Sequence, residues 1–152
     1  MIEDIRNFLP LAENLLSSGM PIAEQLKAVA EAGIKVVINL VPYDPEKDLA
    51  NEDTLAESLG IEYINIPVVW ESPTRQNFDD FIKAMDENKN NKMLVHCRAN
   101  YRATGFITLY RVTQLGWKRE EAFKDLLRIW NPDGYPVWKN FIEGNLHSLH
   151  SP

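Results

Sequence analysis

VHCRANYRATG, residues Val95–Gly105, is the stretch on which the interpretation of this chain depends, because it contains the chain's only cysteine. It continues KMLVH (Lys92–His96), a buried strand by composition, and it leads into a segment with helical character. A loop that leaves a buried strand and enters a helix directs successive backbone N–H groups into one concavity, and such concavities bind anions. Cys97 is therefore either a nucleophile in an anion-binding loop or a small buried residue, the usual state of a lone cysteine.

The residue types of this loop fit the binding and attack of a phosphate ester. The positive field at a helix N-terminus stabilises a thiolate at Cys97, and the thiolate is the nucleophilic form of cysteine. Arginine adds a planar, permanently charged group that can hold two oxyanion oxygens at once. We therefore predict that Cys97 attacks phosphorus while Arg102 and the loop amides stabilise the charged oxygens. The other residues that we expect to form the anion site are Arg98, Ala99, Asn100, Tyr101, Ala103 and Thr104.

The rest of the chain alternates apolar runs with amphipathic segments. This pattern predicts a single α/β domain over residues 1–152, with a mostly parallel sheet of about four to five strands flanked by helices. The predicted strands are Asn14–Gly19 as a short edge strand, Lys35–Val41, Ile61–Val69 and Lys92–His96. The predicted helices are Pro21–Gly33, about Lys47–Leu59, a helix capped by Thr74, Phe106–Leu115, Arg119–Trp130 and Pro136–Leu146. Ligands of such sheets bind at the carboxyl ends of the strands, where Cys97 would lie.

Composition and charge limit the possible partners. The net charge of -6 opposes nonspecific binding to nucleic acid. A single cysteine excludes a multi-cysteine zinc site, and His147 and His150 lack a clear third ligand, so we predict no metal and no cofactor. No apolar run approaches the roughly 20 residues of a membrane helix, and the N-terminus does not resemble a signal peptide. We expect a cytoplasmic protein without a membrane partner, although a periplasmic chain after removal of its signal peptide would look the same.

HCRANYRATGF (His96–Phe106) resembles the signature loop of the cysteine-based tyrosine and dual-specificity phosphatases. That pattern is His-Cys, five residues, Arg, then Ser or Thr and often Gly. Asn100 replaces the usual glycine, and asparagine is the next-best residue for a left-handed backbone. From about Asn14 to Trp138 the chain resembles a bacterial family of such phosphatases, whose domain is also found fused to beta-lactamase-like hydrolases; the resemblance implies a cysteine-phosphatase-like fold. The residues that match the loop pattern are His96, Cys97, Ala99, Thr104 and Gly105.

The arginine departs from this pattern. Ala103 stands at the family's arginine position, and Arg102 comes one residue earlier. Either the loop has the phosphatase length and its arginine leaves from a different place, or the loop is one residue shorter. Cys-Arg-x-x-x-Arg also resembles the six-residue loop of the rhodanese sulfurtransferases, whose tighter cradle fits a sulfane sulfur.

The phosphatase resemblance also implies roles outside the nucleophile and the arginine. His96 would orient the loop backbone or the cysteine, and Thr104 would bond the sulfur or cap the helix. The family's acid is an aspartate after the preceding strand, but that region, IPVVWESPT, has none, so we predict Glu71 as general acid, with a solvated glutamate as the alternative. Tyr101 forms a pocket wall or covers the loop. The acidic segment 44–48 reads as a solvated loop.

Three functions therefore stay open. The first, which we favour, is a cysteine-dependent phosphatase of the tyrosine or dual-specificity type that acts through a phosphoryl-cysteine intermediate on a phosphorylated small molecule or phosphoprotein. The second is a module that binds phosphate or sulfate but turns over poorly, because Ala103 replaces the usual arginine. The third is a sulfurtransferase that carries a persulfide on Cys97.

Overall fold

A five-stranded sheet forms the centre of the computed structural model, which describes residues 1–147. Only the first strand is antiparallel to its neighbour, so the prediction of a mostly parallel sheet is confirmed. Its strand order is β1-β2-β5-β3-β4. The strands are β1 (Leu9–Ala12), β2 (Leu15–Ser18), β3 (Val36–Asn39), β4 (Glu62–Asn65) and β5 (Met93–His96). The end of the predicted domain at residue 152, and His150, lie outside the described residues.

Six α-helices flank the sheet within residues 1–147. They are α1 (Ala23–Glu31), α2 (Glu52–Ser58), α3 (Arg75–Glu87), α4 (Tyr101–Thr113), α5 (Arg119–Leu126) and α6 (Pro136–His147). Two short 3-10 helices cover Ile2–Asp4 and Pro132–Gly134. Thr74 caps α3 as predicted, because its hydroxyl accepts the Asn77 N–H at 3.0 Å. None of these helices has the length and hydrophobicity to cross a membrane.

Apolar side chains cover both faces of the central strands. On β3, Val36 and Ile38 pack toward the cluster formed by α3, α4 and α6, whereas Val37 packs toward α1 and α2. On β5, Val95 and Leu94 divide in the same way. Strands that are buried on both faces read as continuous apolar runs rather than alternating ones, which is why β3 and β5 were recognisable in the sequence.

The first strand was missed, and this changes the position of the second. β1 contains Pro10, and a proline counts against a strand unless it lies on an edge, where one side of the ladder is open. Because β1 is the edge, β2 is paired on both sides, and the prediction that it is an edge strand is wrong.

Several boundaries also differ from the prediction: α5 ends at Leu126 rather than at Trp130, and β4 covers only Glu62–Asn65 of the predicted strand. The helix predicted from about Lys47 begins only at Glu52, because the preceding residues fold into a turn in which the Asp44 N–H donates to Asp48 Oδ2 at 2.7 Å. Helix α4 begins at Tyr101 rather than at Phe106, so its first turn belongs to the cysteine loop.

Gly19 joins the end of β2 to the cysteine loop. A Cβ atom at this position would lie 2.3 Å from the Arg98 carbonyl oxygen and 3.0 Å from the Arg6 carbonyl oxygen. The Gly19 N–H donates to the Arg6 carbonyl, and the Met20 N–H donates to the Arg98 carbonyl at 3.1 Å. Only glycine permits this approach, so the loop backbone lies directly against the end of β2.

Candidate active site

The cysteine loop connects the carboxyl end of β5 to the N-terminus of α4. Cys97 follows β5 directly and is 1% exposed. Asn100 is the N-cap of α4 and has a φ of 69°, the left-handed conformation for which asparagine is suited. The first hydrogen bond of the helix runs from the Thr104 N–H to the Asn100 carbonyl at 3.1 Å. Arg102 therefore lies in the first turn of α4.

The backbone amides of this loop are available to an anion. Within residues 1–147, no hydrogen bond engages the N–H groups of Arg98, Ala99, Tyr101, Arg102 and Ala103. Amides in the first turn of a helix have no intrahelical acceptor, and the positive end of the helix dipole adds to them. The loop thus has the free donors and the electrostatic field of an anion-binding site.

Arg102 is the arginine that lies beside the cysteine. Its side chain is 6% exposed, and Nη1 donates to the Val68 carbonyl at 2.8 Å. Burial lowers the pKa of Arg102, and the charge and hydrogen bonding of the Cys97 thiolate oppose this shift. The contact to Val68 fixes the orientation of a guanidinium group placed next to the sulfur.

The surroundings of Ala103 explain why the arginine of this loop is residue 102 and not residue 103, the family's arginine position. Its side chain is 0% exposed and packs in the core cluster with Phe106 and Val95. An arginine at this position would place its charge in the core instead of beside Cys97. The geometry therefore corresponds to the shorter of the two loop lengths, with Arg102 as the sixth residue, and only the Ala103 backbone is available to an anion.

Arg98 turns its guanidinium group to an acidic partner. Its Nε donates to Asp48 Oδ1 and its Nη2 to Asp48 Oδ2, both at 2.9 Å, and Nη2 also lies 3.3 Å from the Pro42 carbonyl. Burial acts to raise the pKa of Asp48, but the hydrogen bonds from Arg98 and from the Asp44 N–H outweigh it and hold that pKa below its usual range. The hydrogen bond to Asp48 raises the pKa of Arg98. The prediction of a solvated loop is wrong for Asp48, whose side chain is 3% exposed.

His96 lies behind the loop, between two acceptors. Its Nδ1 is 3.2 Å from the Cys97 carbonyl oxygen, and its Nε2 is 2.6 Å from Glu52 Oε2. Asn39 Nδ2 donates to the other oxygen of Glu52 at 3.3 Å and to the Tyr63 hydroxyl at 3.0 Å. Burial, together with the charge of Glu52, raises the pKa of Tyr63 to about 12. This network positions His96 to hold the backbone of the cysteine, and nothing in the sequence pointed to Glu52 as its partner.

An N-terminal residue also holds the loop. Asn7 Nδ2 donates to the Ala99 carbonyl at 2.9 Å, and Asn100 Nδ2 donates back to the Asn7 carbonyl at 2.8 Å. Asn100 Nδ2 also donates to Ser17 Oγ at 3.0 Å. Sequence reasoning missed Asn7, because its partners are more than ninety residues away in the chain.

Aromatic rings form the walls of the site. Tyr101 stacks on Trp130 with 4.9 Å between ring centroids, and Trp130 Nε1 donates to Thr104 Oγ1 at 3.0 Å. The Thr104 hydroxyl donates to the Asn100 carbonyl at 2.7 Å, so it ties the helix start and the rings together. A hydrogen bond with Tyr101 raises the pKa of Tyr135. The cavity over the loop measures about 280 Å³ and is lined by Trp70, Cys97, Arg98, Ala99, Tyr101, Arg102 and Tyr135.

A larger cavity of about 390 Å³ borders Asp48 and Glu52. It contains neither Cys97 nor Arg102, so we place the anion site in the smaller cavity. In the described part of the chain, no group of three or more His, Cys, Asp or Glu side chains is arranged to hold a metal ion.

Glu71 is the one predicted catalytic residue that the structure does not bring to the loop. It is exposed, and its side chain makes no hydrogen bond or ion pair with residues 1–147. It follows Trp70, whose carbonyl accepts the Trp138 Nε1–H at 2.8 Å and whose ring lines the cavity. Glu71 thus lies next to a fixed wall of the site without lining it, and its role stays a prediction.

Comparison with known proteins agrees with this geometry. The sheet, with a cysteine–arginine loop between its middle strand and a buried helix, defines the class of cysteine-based phosphatase folds. Within that class, residues 7–113 match the family described as "Polymorphic toxin system, DSP-PTPase phosphatase". The chain belongs to this family. No functionally curated protein matches it significantly.

Solved structures support the same fold. A phosphatase-like DUF442 protein from Shewanella putrefaciens CN-32 is 34% identical, with a TM-score of 0.87 over 97% of this chain and 96% of that one. Tk-PTP in its active form is 18% identical, with a TM-score of 0.77 over 93% of this chain and 97% of its own. A variant of P. aeruginosa TpbA in complex with pTyr is 14% identical, with a TM-score of 0.68 over 96% and 91%. The predicted fold and family resemblance are confirmed.

Proposed function

We propose that this chain is a cysteine-dependent phosphatase that hydrolyses phosphate monoesters. The observation that carries the proposal is that the Arg102 guanidinium and Cys97 line the same cavity, in a loop where the N–H groups of five residues have no acceptor within residues 1–147. A thiolate, a fixed cation and several free N–H groups around one point are what the attack of sulfur on a phosphoryl group requires. Family membership supports the same chemistry.

The reaction has two steps in this proposal. The Cys97 thiolate attacks phosphorus, the S–P bond forms, and the ester P–O bond breaks as the leaving oxygen takes a proton. Water then attacks the phosphoryl-cysteine, the P–S bond breaks, and phosphate leaves with the thiolate restored. Arg102 and the loop amides stabilise the equatorial oxygens in both steps, while His96 holds the Cys97 backbone in place.

The decisive experiment is steady-state hydrolysis of a generic aryl phosphate by the wild type and by Cys97→Ser. We expect turnover by the wild type and none by the variant, with phosphate or vanadate binding retained in both. A wild type that binds vanadate without turnover would contradict the proposal and leave an anion-binding module.

The likeness to a protein that binds pTyr supports a phosphorylated small molecule or phosphoprotein as substrate. A cytoplasmic location and the lack of nucleic-acid partners stay predictions.

Glu71 is the proposed proton donor for the leaving oxygen. We expect Glu71→Gln to slow hydrolysis of an alkyl phosphate by about a hundredfold, because that leaving group needs a proton, and to slow an activated nitrophenyl phosphate far less. Glu57→Gln, another exposed glutamate without a side-chain partner in residues 1–147, is the control. Equal effects of Glu71→Gln on both substrates would rule out the acid role.

The length of the loop favours one alternative, a sulfurtransferase. With Arg102 beside Cys97 the loop has the six-residue register of a sulfane-sulfur cradle. In that reaction Cys97 would take the outer sulfur of thiosulfate, release sulfite, and pass the sulfur to cyanide as thiocyanate. Formation of thiocyanate that depends on Cys97, without aryl phosphate hydrolysis, would favour this alternative.

A further inference from the structure

The cysteine loop carries two arginines, but only one of them is free to act on an anion. Arg98 lines the same cavity as Arg102, yet its guanidinium group makes two parallel hydrogen bonds with Asp48, both at 2.9 Å. In a bidentate pair of this kind, two N–H groups of the planar guanidinium match the two oxygens of the carboxylate. The charge of Arg98 is therefore neutralised beside the site where it would otherwise attract an anion.

The pair is anchored on both sides and differs from an ordinary surface ion pair. The Asp48 side chain is 3% exposed and accepts the Asp44 N–H at 2.7 Å, while Arg98 is 31% exposed and also contacts the Pro42 carbonyl. Surface ion pairs are weak mainly because water screens them and the side chains lose freedom. Here the carboxylate is already immobilised by the turn around it, so the arginine is held firmly.

The cavity therefore offers charge for one phosphoryl group. Arg102 and the free amides can neutralise an anion at Cys97. The remaining walls are uncharged, and they are Trp70, Ala99, Tyr101 and Tyr135. A second phosphoryl group on the same substrate would find no unpaired cation among the lining residues, and it would meet the negative charge of Asp48 and Asp44 near Arg98.

We propose that Asp48 determines specificity: by holding Arg98, it limits the site to substrates with a single phosphoryl group and excludes polyanions such as bisphosphates and polyphosphates. Removing the Asp48 charge would release Arg98 to the mouth of the cavity, where it could contact a second phosphoryl group. This inference rests on the proposed function only in requiring that the loop bind phosphate.

The test compares two inorganic probes, orthophosphate and tripolyphosphate, by calorimetric binding to the full chain at one fixed salt concentration. In Asp48→Asn we expect the affinity for tripolyphosphate, relative to that for orthophosphate, to rise about five- to tenfold. Asp53→Asn is the matched control, because it removes one negative charge as Asp48→Asn does. The exposed Asp53 carboxylate does not contact Arg98 and makes no hydrogen bond or ion pair in residues 1–147. Its affinity ratio should stay within about twofold of the wild type.

A ratio unchanged in Asp48→Asn, or an equal rise in Asp53→Asn, would overturn the inference. If Asp48→Asn does not fold by circular dichroism, Arg98→Lys replaces it, since lysine keeps the charge but cannot form the bidentate pair; the ratio should shift in the same direction, and no shift would overturn the inference. Orthophosphate binding without aryl phosphate turnover would refute the proposed function alone. A wild type that does not bind orthophosphate would refute both.

Discussion

Arg102 and Ala103 are neighbours in the chain with opposite surroundings. The arginine side chain lies beside Cys97 and donates to the Val68 carbonyl, while the alanine side chain is enclosed by the core. A change of one position along a helix rotates a side chain by more than a quarter turn, so the two positions cannot exchange roles. The position of the arginine in this loop is therefore set by helix α4 and the core beneath it.

We predict that Arg102→Lys lowers kcat/KM for an aryl phosphate by about a hundred- to a thousandfold, because a lysine cannot bond the Val68 carbonyl and two phosphoryl oxygens in one plane. Arg119→Lys, on the surface and paired with Glu143, is the control for the substitution itself. Moving the arginine, as Arg102→Ala with Ala103→Arg, should not restore activity and should destabilise the fold. Recovery of turnover in that double variant would show that the register does not matter.

The sequence could predict those residues of the candidate site whose chemistry is local. Cys97, Arg102 and Asn100 were identified because a nucleophile, a cation and a left-handed residue within one short loop together indicate an anion-binding site. Asp48 and Glu52 were not, because an acidic residue in a polar segment looks solvated until its partner is known. Their partners Arg98 and His96 are forty to fifty residues away, and no periodicity connects them.

At the scale of elements, the N-terminal segment and β1 act as a support for the cysteine loop. The sequence contained the strand-like residues of β1, but Pro10 counted against a strand there. The segment before it brings Asn7 and the Arg6 carbonyl against the loop and against Gly19. Among the elements that were predicted, β3, β5 and α3 agree best with the structure, because their own hydrophobic pattern determines their burial.

We predict that Asn7→Gly weakens orthophosphate binding about fivefold, because the Ala99 carbonyl loses a hydrogen bond worth about 1 kcal/mol and the loop becomes less ordered. Glycine suits the test because Asn7 has a φ of 51°, which glycine adopts without strain, and the bond from Asn100 to the residue 7 carbonyl remains possible. Asn51→Gly is the control, because Asn51 is also at positive φ and its side chain makes no hydrogen bond to the loop within residues 1–147. Unchanged affinity in Asn7→Gly would show that the segment supports the fold without positioning the loop.

At the scale of the whole molecule, the site lies where three parts of the fold meet. Cys97 lies at the end of β5, Arg102 lies in the first turn of helix α4, and aromatic residues after β4 and α5 line the cavity. All three parts belong to one core cluster, which Val95, Ala103 and Trp130 share, and its apolar pattern allowed the class of fold to be predicted before the contacts of the site were known.

Two tyrosines make the free energy of unfolding of the domain depend on pH in the alkaline range. Burial, and secondly the charge of Glu52, raises the pKa of Tyr63 to about 12. Burial, and secondly the hydrogen bond to Asp86, raises the pKa of Tyr110 to about 12. An unfolded tyrosine ionises near pH 10, so the folded state keeps protons that the unfolded state has lost. The stabilisation is complete below about pH 10 and is lost as the pH rises through about 12. For each tyrosine the free energy of unfolding falls by no more than roughly 1.4 kcal/mol per pH unit. The fall is smaller for Tyr63, which is partly exposed. Urea unfolding across this range should show a falling free energy of unfolding, with a shallower slope in Tyr110→Phe. Identical slopes in the two proteins would contradict the assignment.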